Sequence, residues 1–294
     1  MDYRKCRLCP RNCCVDRTRG ERGVCGMGPQ IVAARAALHH WEEPPISGTR
    51  GSGAVFFSGC SLGCDFCQNT QISREGFGRE ITTTRLREIF RSLVDQGAHN
   101  INLVTATHFL PSILPALQPG LPVPVVYNTG GYESVETLRE LEGFVDVYLP
   151  DLKYAEPELG AARSRAPDYF PVACRAIDEM VRQVGPCQFD RDGMLVRGVM
   201  IRHLILPGQV QNSLKVLDYV AEHFPRGTVL LSLMAQYVPS GPVRQTPPFD
   251  RAITEAEYEA VVDWLYMLGL EEGFLQERAA ATDAYLPDFS LEGV

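Results

Sequence analysis

The sequence lacks several features that would assign it to a class at once. It has no apolar run of about eighteen residues, the length that a membrane-spanning helix requires. Its first residues, MDYRKCRLCPRNCC, are polar and basic rather than apolar like a secretory signal peptide. The net charge is −8, whereas broad nucleic-acid binding needs a positive field. We therefore expect a cytoplasmic protein with neither a membrane nor a nucleic-acid partner.

Apolar residues make up 45% of the 294 positions, which is enough for a sizeable core. Six apolar segments predict strands that alternate with helices: AVFFSG (54–59), INLVTAT (101–107), VPVVYN (123–128), FVDVYL (144–149), GVMIRHLIL (198–206) and TVLLSLMAQY (228–237). Nearly continuous apolar strands are typical of a parallel sheet that is covered on both faces. Six units are too few to close a full barrel, so the predicted fold is α/β, an open, partial (βα)6 barrel.

Amphipathic segments between these strands predict the helices. They cover residues 82–97, 110–118, 134–143, 173–184, 212–224 and 254–269. Thr254 and Glu257 have the spacing of a capping box at the start of the last helix. We divide the chain into a Cys-rich metal-binding module (1–30), a turn-rich connector (31–53) and the barrel domain (54–294). Glu42 and Glu43, in the connector, are candidates for acid–base chemistry or solvated side chains.

Ten cysteines are present, and eight of them fall within the first 67 residues. Cys60, Cys64 and Cys67 form a C-x3-C-x2-C loop directly after the first predicted barrel strand. A structural zinc site closes with four ligands, and a [4Fe–4S] cluster has four irons to anchor. Three local thiolates on such a cluster would leave one iron open to bind something else. The alternative is a zinc knuckle whose fourth ligand comes from the N-terminal cysteines.

Cys6, Cys9, Cys13 and Cys25 form a second group with the spacing C-x2-C-x3-C-x11-C. Four soft ligands suit either a tetrahedral zinc ion or an auxiliary iron–sulfur cluster, and the spacing does not choose between them. The centre would act as a structural staple or as a redox site. The surrounding basic residues are either solvated or part of a surface that docks a protein substrate: Arg4, Lys5, Arg7 and Arg11.

Polar residues follow several predicted strands. Because the carboxyl ends of parallel strands meet at one edge of a sheet, these side chains are candidates for ligand binding. They are Thr105, Thr107 and His108 after the second strand, Asn128 and Thr129 after the third, and Asp151 and Lys153 after the fourth. A carboxylate can accept from a ribose hydroxyl or an ammonium group, and a lysine can donate to a carboxylate.

The three-cysteine loop, with Phe66 before its last cysteine, resembles the signature of the radical S-adenosylmethionine (radical SAM) superfamily. The resemblance implies a [4Fe–4S] cluster on Cys60, Cys64 and Cys67 and an open iron that chelates the methionyl group of S-adenosylmethionine. Reductive cleavage of that molecule gives a 5′-deoxyadenosyl radical, which abstracts hydrogen. The superfamily often has a Gly-Gly-Glu stretch after the second strand. This chain lacks that Glu, so Thr105 and Thr107 would have to contact the methionyl amine.

The resemblance extends to the glycyl-radical-enzyme activases, such as pyruvate formate-lyase activating enzyme. Their cofactor-binding segments are similar to Asn128-Thr129-Gly130-Gly131 and Asp151-Leu152-Lys153 here, and the likeness also implies cofactor contacts from His203 and Gln236. A subgroup of these proteins shares the elements CRLCPRNC, EEPPISG, FFSGC and YLPDLK, all of which occur in this chain. It implies a flavodoxin or ferredoxin reductant and a glycine on another protein as the hydrogen donor.

Two alternatives remain at this stage. The same radical chemistry would serve a small-molecule or RNA substrate. A non-catalytic reading is an adaptor that binds zinc through both cysteine groups. No long insertion separates the predicted strands, which favours a protein or peptide substrate over an enclosed small molecule.

Overall fold

The computed structural model describes residues 1–278 and 287–294. It contains ten strands: β1 (Ile31–His39), β2 (Ser52–Phe57), β3 (Arg79–Ile81), β4 (Ile101–Val104), β5 (Val125–Thr129), β6 (Val147–Pro150), β7 (Gln188–Phe189), β8 (Leu195–Leu204), β9 (Leu230–Met234) and β10 (Gly273–Leu275). The main sheet has the order β10-β9-β8-β6-β5-β4-β2-β1-β3, and β7 pairs with β8 at the side. The predicted mixed α/β fold with a large parallel sheet is confirmed.

The six predicted strands correspond to β2, β4, β5, β6, β8 and β9, and neighbours in this series pair in parallel. Their carboxyl ends therefore lie at one edge of the sheet. We did not predict β1, which lies within the expected connector and pairs antiparallel with β2 and β3. The division into modules stays a prediction, but residues 31–39 are part of the sheet.

Nine α-helices occur in the described residues. They are α1 (Pro44–Ser47), α2 (Thr70–Ser73), α3 (Thr83–Asp95), α4 (Leu110–Leu117), α5 (Val135–Arg139), α6 (Pro157–Ser164), α7 (Tyr169–Val184), α8 (Val210–His223) and α9 (Glu255–Leu268). The Thr82 side chain caps α3 by accepting from the amide of Arg85, and Thr254 and Glu257 form the predicted capping box of α9. None of these helices is long and apolar enough to cross a membrane.

The two largest of three apolar clusters lie on opposite faces of the strands, because successive side chains of a strand point in opposite directions. Tyr127 and Ile201 belong to the larger core, which the helices cover. Their neighbours Val126 and Met200 belong to a smaller core on the other face, with Ile46 of α1. Each fully buried side chain of this kind stabilises the fold by about 1.5–3 kcal/mol. The third cluster includes Phe56, near the carboxyl end of β2, with Val104 of β4 packed against it.

Candidate functional site

The three-cysteine loop leaves the carboxyl end of β2. Gly59 has φ +86° and Gly63 has φ +57°, backbone conformations that favour glycine. An added Cβ at Gly59 would lie 2.4 Å from Met27 Cγ and 2.8 Å from the Cys25 carbonyl oxygen. The chain therefore turns sharply into the loop against the N-terminal segment. Cys64 is buried, with 8% exposure, and Cys60 and Cys67 are partly buried.

Aromatic packing and one ion pair hold this loop in place. The Phe66 ring packs against Tyr154, Tyr237 and Phe249, with ring centroids 6.2–6.5 Å apart. The Asp65 carboxylate pairs with Arg163 Nη1 at 3.2 Å. Asp65 and Phe66, the two residues between the second and third cysteines, thus anchor the loop to α6 and to the segment after β9.

Hydroxyl groups point at two of the three sulfur atoms. Ser164 Oγ donates to Cys64 Sγ at 3.0 Å. Tyr154 Oη lies 2.8 Å from Ser164 Oγ and 3.7 Å from the same sulfur, so its one hydrogen is shared between these two acceptors. Ser73 Oγ donates to Cys67 Sγ at 3.4 Å. Hydrogen bonds to sulfur are one of the means by which proteins tune iron–sulfur centres. The donors fit thiolates better than neutral thiols.

Burial raises the pKa of Cys60 to about 12, and the nearby thiols of Cys64 and Cys67 add to the effect. Three thiolates in one loop therefore need positive charge, which a bound metal centre provides. In the described residues no three His, Cys, Asp or Glu side chains converge as they would on a single metal ion. A [4Fe–4S] cluster takes each thiolate on a separate iron. The loop therefore fits the larger group.

Arg202, on β8, is the centre of a polar network beside the loop. Its side chain is only 14% exposed and contacts Asp151 Oδ1 at 3.0 Å and Glu42 Oε2 at 3.2 Å. Arg202 Nη2 also donates to Asn128 Oδ1 at 2.6 Å. Lys153 forms a close ion pair with the other oxygen of Asp151. The network joins the ends of β5, β6 and β8 to the segment before α1.

The carboxyl groups of this network and of the neighbouring Glu43 have pKa values shifted in different directions. Burial opposes a charged Asp151, but Arg202 and Lys153 outweigh it and lower the pKa of its carboxyl group. Burial raises the pKa of Glu42, although Arg202 acts against it, and it also raises the pKa of Glu43. Glu43 Oε2 is buried without a hydrogen-bond partner. Our expectation that these two glutamates are solvated is wrong, because both reach into the barrel interior.

Two adjoining cavities lie over this network. One, of about 200 Å³, is lined by Cys64, Cys67, Asp151, Lys153, Gln236 and Arg202. The other, of about 160 Å³, is lined by Asn128, Arg202, Gln236, Glu42 and Trp41. The structure thus brings six of the predicted site residues together at the carboxyl edge of the sheet: Cys64, Cys67, Asn128, Asp151, Lys153 and Gln236.

The other predicted residues have different neighbours. Thr107 Oγ1 donates to Glu133 Oε1 at 2.7 Å, and Thr129 Oγ1 makes a close hydrogen bond to the same oxygen. Both hydroxyls therefore serve a buried carboxyl group, whose pKa burial raises to about 7. Thr105 has φ +59°, an unusual backbone conformation for a β-branched residue, at the end of β4.

His203 is also kept away from the cavities. It is fully buried, with Nδ1 2.6 Å from the Leu152 carbonyl oxygen and Nε2 2.9 Å from Ser213 Oγ on α8. Its neighbour Arg202 occupies the cavity side of β8. The alternation of side chains along a strand would have identified Arg202, because Met200 and Arg202 share a face. Arg202 is the one charged residue among the alternate positions Val196, Gly198, Met200, Arg202 and Leu204 of β8, and this pattern was the signal to use.

The N-terminal segment packs against the three-cysteine loop. Arg11 Nε donates to the Ser61 carbonyl oxygen at 2.8 Å, and Arg11 Nη2 donates to that of Ser164 at 2.6 Å. The expectation of a solvated side chain is therefore wrong for Arg11, whereas Arg4, Lys5 and Arg7 are exposed. Cys9, Cys13 and Cys25 lie close enough for the charge of one thiolate to act on another, as do Cys6 and Cys25.

Comparisons with known proteins identify the superfamily of this chain. The family model described as the radical SAM superfamily matches residues 54–234. An uncharacterized protein of Methanocaldococcus jannaschii is 29% identical over 274 residues, which cover 89% of this chain and 74% of that one.

Two solved structures were also compared. Methylornithine synthase aligns with a TM-score of 0.51 and 13% identity, over 79% of this chain and 75% of that one. At this identity the likeness shows the fold alone. Streptococcus suis SuiB aligns with a TM-score of 0.49 and 11% identity, over 82% of this chain, but the chain spans only 53% of that protein.

Proposed function

Because the chain belongs to the radical SAM superfamily, we propose that it is an activating enzyme that abstracts hydrogen from a glycine of a partner protein. Membership of the superfamily implies a [4Fe–4S] cluster and S-adenosylmethionine. When bound, these two groups supply a 5′-deoxyadenosyl radical, the species that abstracts hydrogen. Cys60, Cys64 and Cys67 would hold the cluster, and the observation that carries this assignment is that Cys64 and Cys67 line a cavity together with Asp151 and Lys153.

Side chains around the cavity suit the polar groups of S-adenosylmethionine. Asp151, kept ionised by Arg202 and Lys153, can accept from an ammonium group or a ribose hydroxyl. Lys153 can donate to a carboxylate, and Asn128 and Gln236 offer amide groups on the same side. Thr105 would contribute its hydroxyl or backbone carbonyl. Thr107, Thr129 and His203 would support these residues from behind rather than touch the cofactor.

A protein substrate is supported by the shape of the surface next to Cys67. A wide groove of about 690 Å³ runs from Cys67 and Gln68 to the segment 238–245. This groove continues from the cavity, since Cys67, Gln68 and Val238 line both. A loop of another protein could reach the reacting atoms along it without a lid having to open. The reductant would be a flavodoxin or a ferredoxin.

The test begins with the tagged full chain, purified under strict anaerobiosis together with whatever protein it retains. The reconstituted enzyme is then incubated with S-adenosylmethionine, a reductant and the co-purified chain. We expect 5′-deoxyadenosine and a glycyl-radical signal in the electron paramagnetic resonance (EPR) spectrum of the partner. The Cys64→Ala variant should give neither, whereas Cys174→Ala, on the distant helix α7, should behave as wild type.

The outcomes separate the proposal from its alternatives. Release of 5′-deoxyadenosine that depends on an RNA or a small metabolite, with no radical on a protein, would replace the activase assignment and leave the superfamily chemistry intact. A protein that holds only zinc and releases no 5′-deoxyadenosine would support the adaptor. Equal product from Cys64→Ala and wild type would contradict the cluster assignment itself.

A further inference from the structure

Arg17 is a buried cation in the N-terminal segment. The residue is 1% exposed, and its guanidinium donates to three backbone carbonyl oxygens: those of Met27 at 3.0 Å, His108 at 2.6 Å and Gly28 in a close contact. The ring of Tyr3 lies against the guanidinium, 4.6 Å from its central carbon to the ring centroid. These contacts satisfy its hydrogen bonds but leave its charge uncompensated.

No carboxylate in the described part of the chain pairs with Arg17. The adjacent carboxylate, Asp16, caps its own turn and pairs with Arg19 at 3.5 Å. A buried charge without a counter-charge costs several kcal/mol, so such residues are normally paired or belong to a metal site. The missing counter-charge of Arg17 therefore points to a bound group that carries negative charge.

The guanidinium lies against the four-cysteine element. Arg17 Nη1 is 3.8 Å from Cys6 Sγ, and the positive charge of Arg17 also acts on Cys25. Val24 N donates to Cys13 Sγ at 3.4 Å. A [4Fe–4S] cluster with four thiolate ligands carries net negative charge, and it takes each thiolate on a separate iron rather than all four on one ion. We propose that Cys6, Cys9, Cys13 and Cys25 hold such an anionic tetrathiolate metal centre and that Arg17 is its buried counter-cation.

The proposed centre would be joined to the three-cysteine loop. Arg17 holds the carbonyl of His108, and His108 Nε2 donates to the Ser58 carbonyl oxygen at 2.7 Å. Gly59 lies against the Cys25 carbonyl and directly precedes Cys60. Occupancy of the four-cysteine centre would therefore fix the point where the three-cysteine loop leaves β2.

The first test isolates the proposed centre in the full chain. A Cys60→Ala/Cys64→Ala/Cys67→Ala variant is purified anaerobically, and zinc, iron and acid-labile sulfide are measured per chain. We expect about four irons with as much sulfide per chain, whereas one zinc without sulfide would contradict the cluster. Adding Cys6→Ala and Cys13→Ala should remove the metal. The proposal fails if the triple variant holds no metal, or if its metal survives the two further substitutions.

The second test addresses Arg17 in the same triple variant. With Arg17→Met, a chelator should extract the metal about tenfold faster, because a charge-assisted contact is lost. Arg17→Lys should have a smaller effect, and Arg19→Met, at an exposed neighbour, should have none. The loss of thermal stability from Arg17→Met should also be larger with metal than after its removal. Equal extraction rates in Arg17→Met, Arg17→Lys and the parent would overturn the role of Arg17. If Arg17→Met does not fold, Arg17→Lys decides the question.

Discussion

Arg17 is buried and Arg202 is largely buried, but these two arginines have opposite surroundings. Arg202 is paired with Asp151 and Glu42, so the polar network at the carboxyl edge of the sheet balances its own charge. Arg17 has carbonyl groups, an aromatic ring and the sulfur of Cys6, but no carboxylate among the described residues. Arg202 is thus neutralised by carboxylates of the chain itself, whereas Arg17 has no such counter-charge among the described residues.

Among the substitutions that test this comparison, we expect Arg202→Met to change the stability most. The substitution leaves Asp151 and Glu42 buried without their shared cation, so the free energy of unfolding should fall by about 3–5 kcal/mol. Urea unfolding of the metal-free protein measures it. Arg197→Met, on the same strand, removes only contacts to backbone carbonyls and should cost much less. Equal losses in the two variants would mean that the network does not depend on charge pairing.

The second effect concerns His203, on the opposite face of β8 from Arg202. Burial lowers the pKa of His203 to about 4, so the folded protein binds this proton less readily than the unfolded chain. The stabilisation that comes from burying the neutral His203 imidazole is therefore present above pH 6.5 and is lost as the pH falls towards 4. By linkage that loss amounts to about 3 kcal/mol.

His203→Gln should flatten this part of the stability–pH curve and leave the affinity for S-adenosylmethionine unchanged. Thermal unfolding between pH 4 and 7, with equilibrium binding at pH 7, gives both quantities. A large loss of cofactor affinity at unchanged stability would return His203 to the cofactor site that the family resemblance implied.

A third effect tests the contact between the two cysteine regions. Gly59→Ala places a methyl group against Met27 and the Cys25 carbonyl at a backbone angle that already disfavours side chains. We expect a loss of about 2–3 kcal/mol in stability and reduced iron in the reconstituted protein. Gly20→Ala is the matched control, since Gly20 has φ +88° but no atom within 4 Å of an added Cβ. Equal iron contents in the two variants would show that this packing does not position the loop.

The smallest effect belongs to Tyr154→Phe, which removes one hydroxyl from the surroundings of Cys64. The cost in stability should be about 1 kcal/mol, because Ser164 keeps its shorter hydrogen bond to the same sulfur. The reduction potential of the reconstituted cluster should become more negative, since one donor to a thiolate is lost. Redox titration followed by EPR measures the shift. An unchanged potential would show that this hydroxyl does not act on the sulfur.

Much of the fold could be predicted because its signals are local. The apolar strands and the caps of α3 and α9 follow from short stretches of sequence. The strand β1 could not be predicted in this way, because IVAARAALH is rich in alanine and lacks clear alternation. Its pairing with β2 depends on the folded chain. The three-cysteine loop was predicted for the same reason as the strands, since its spacing lies within eight residues.

The rest of the site depends on contacts between distant residues. Glu42 joins the network through Arg202, which is 160 positions away. Thr107 and Thr129 were predicted to face a cofactor, but their hydroxyls meet at Glu133, a residue that only the folded chain brings between them. Arg202 itself could have been predicted from the sequence, because it is the one charged residue on the inward face of β8.

The most direct test of the central claim is the EPR spectrum of the reduced, reconstituted protein before and after addition of S-adenosylmethionine. The measurement is best made on a Cys6→Ala/Cys13→Ala variant, so that only the three-cysteine loop contributes a signal. The account predicts a [4Fe–4S] signal that changes when S-adenosylmethionine binds the iron that lacks a cysteine. A variant that takes up no iron in this loop, or a signal that S-adenosylmethionine leaves unchanged, would contradict it.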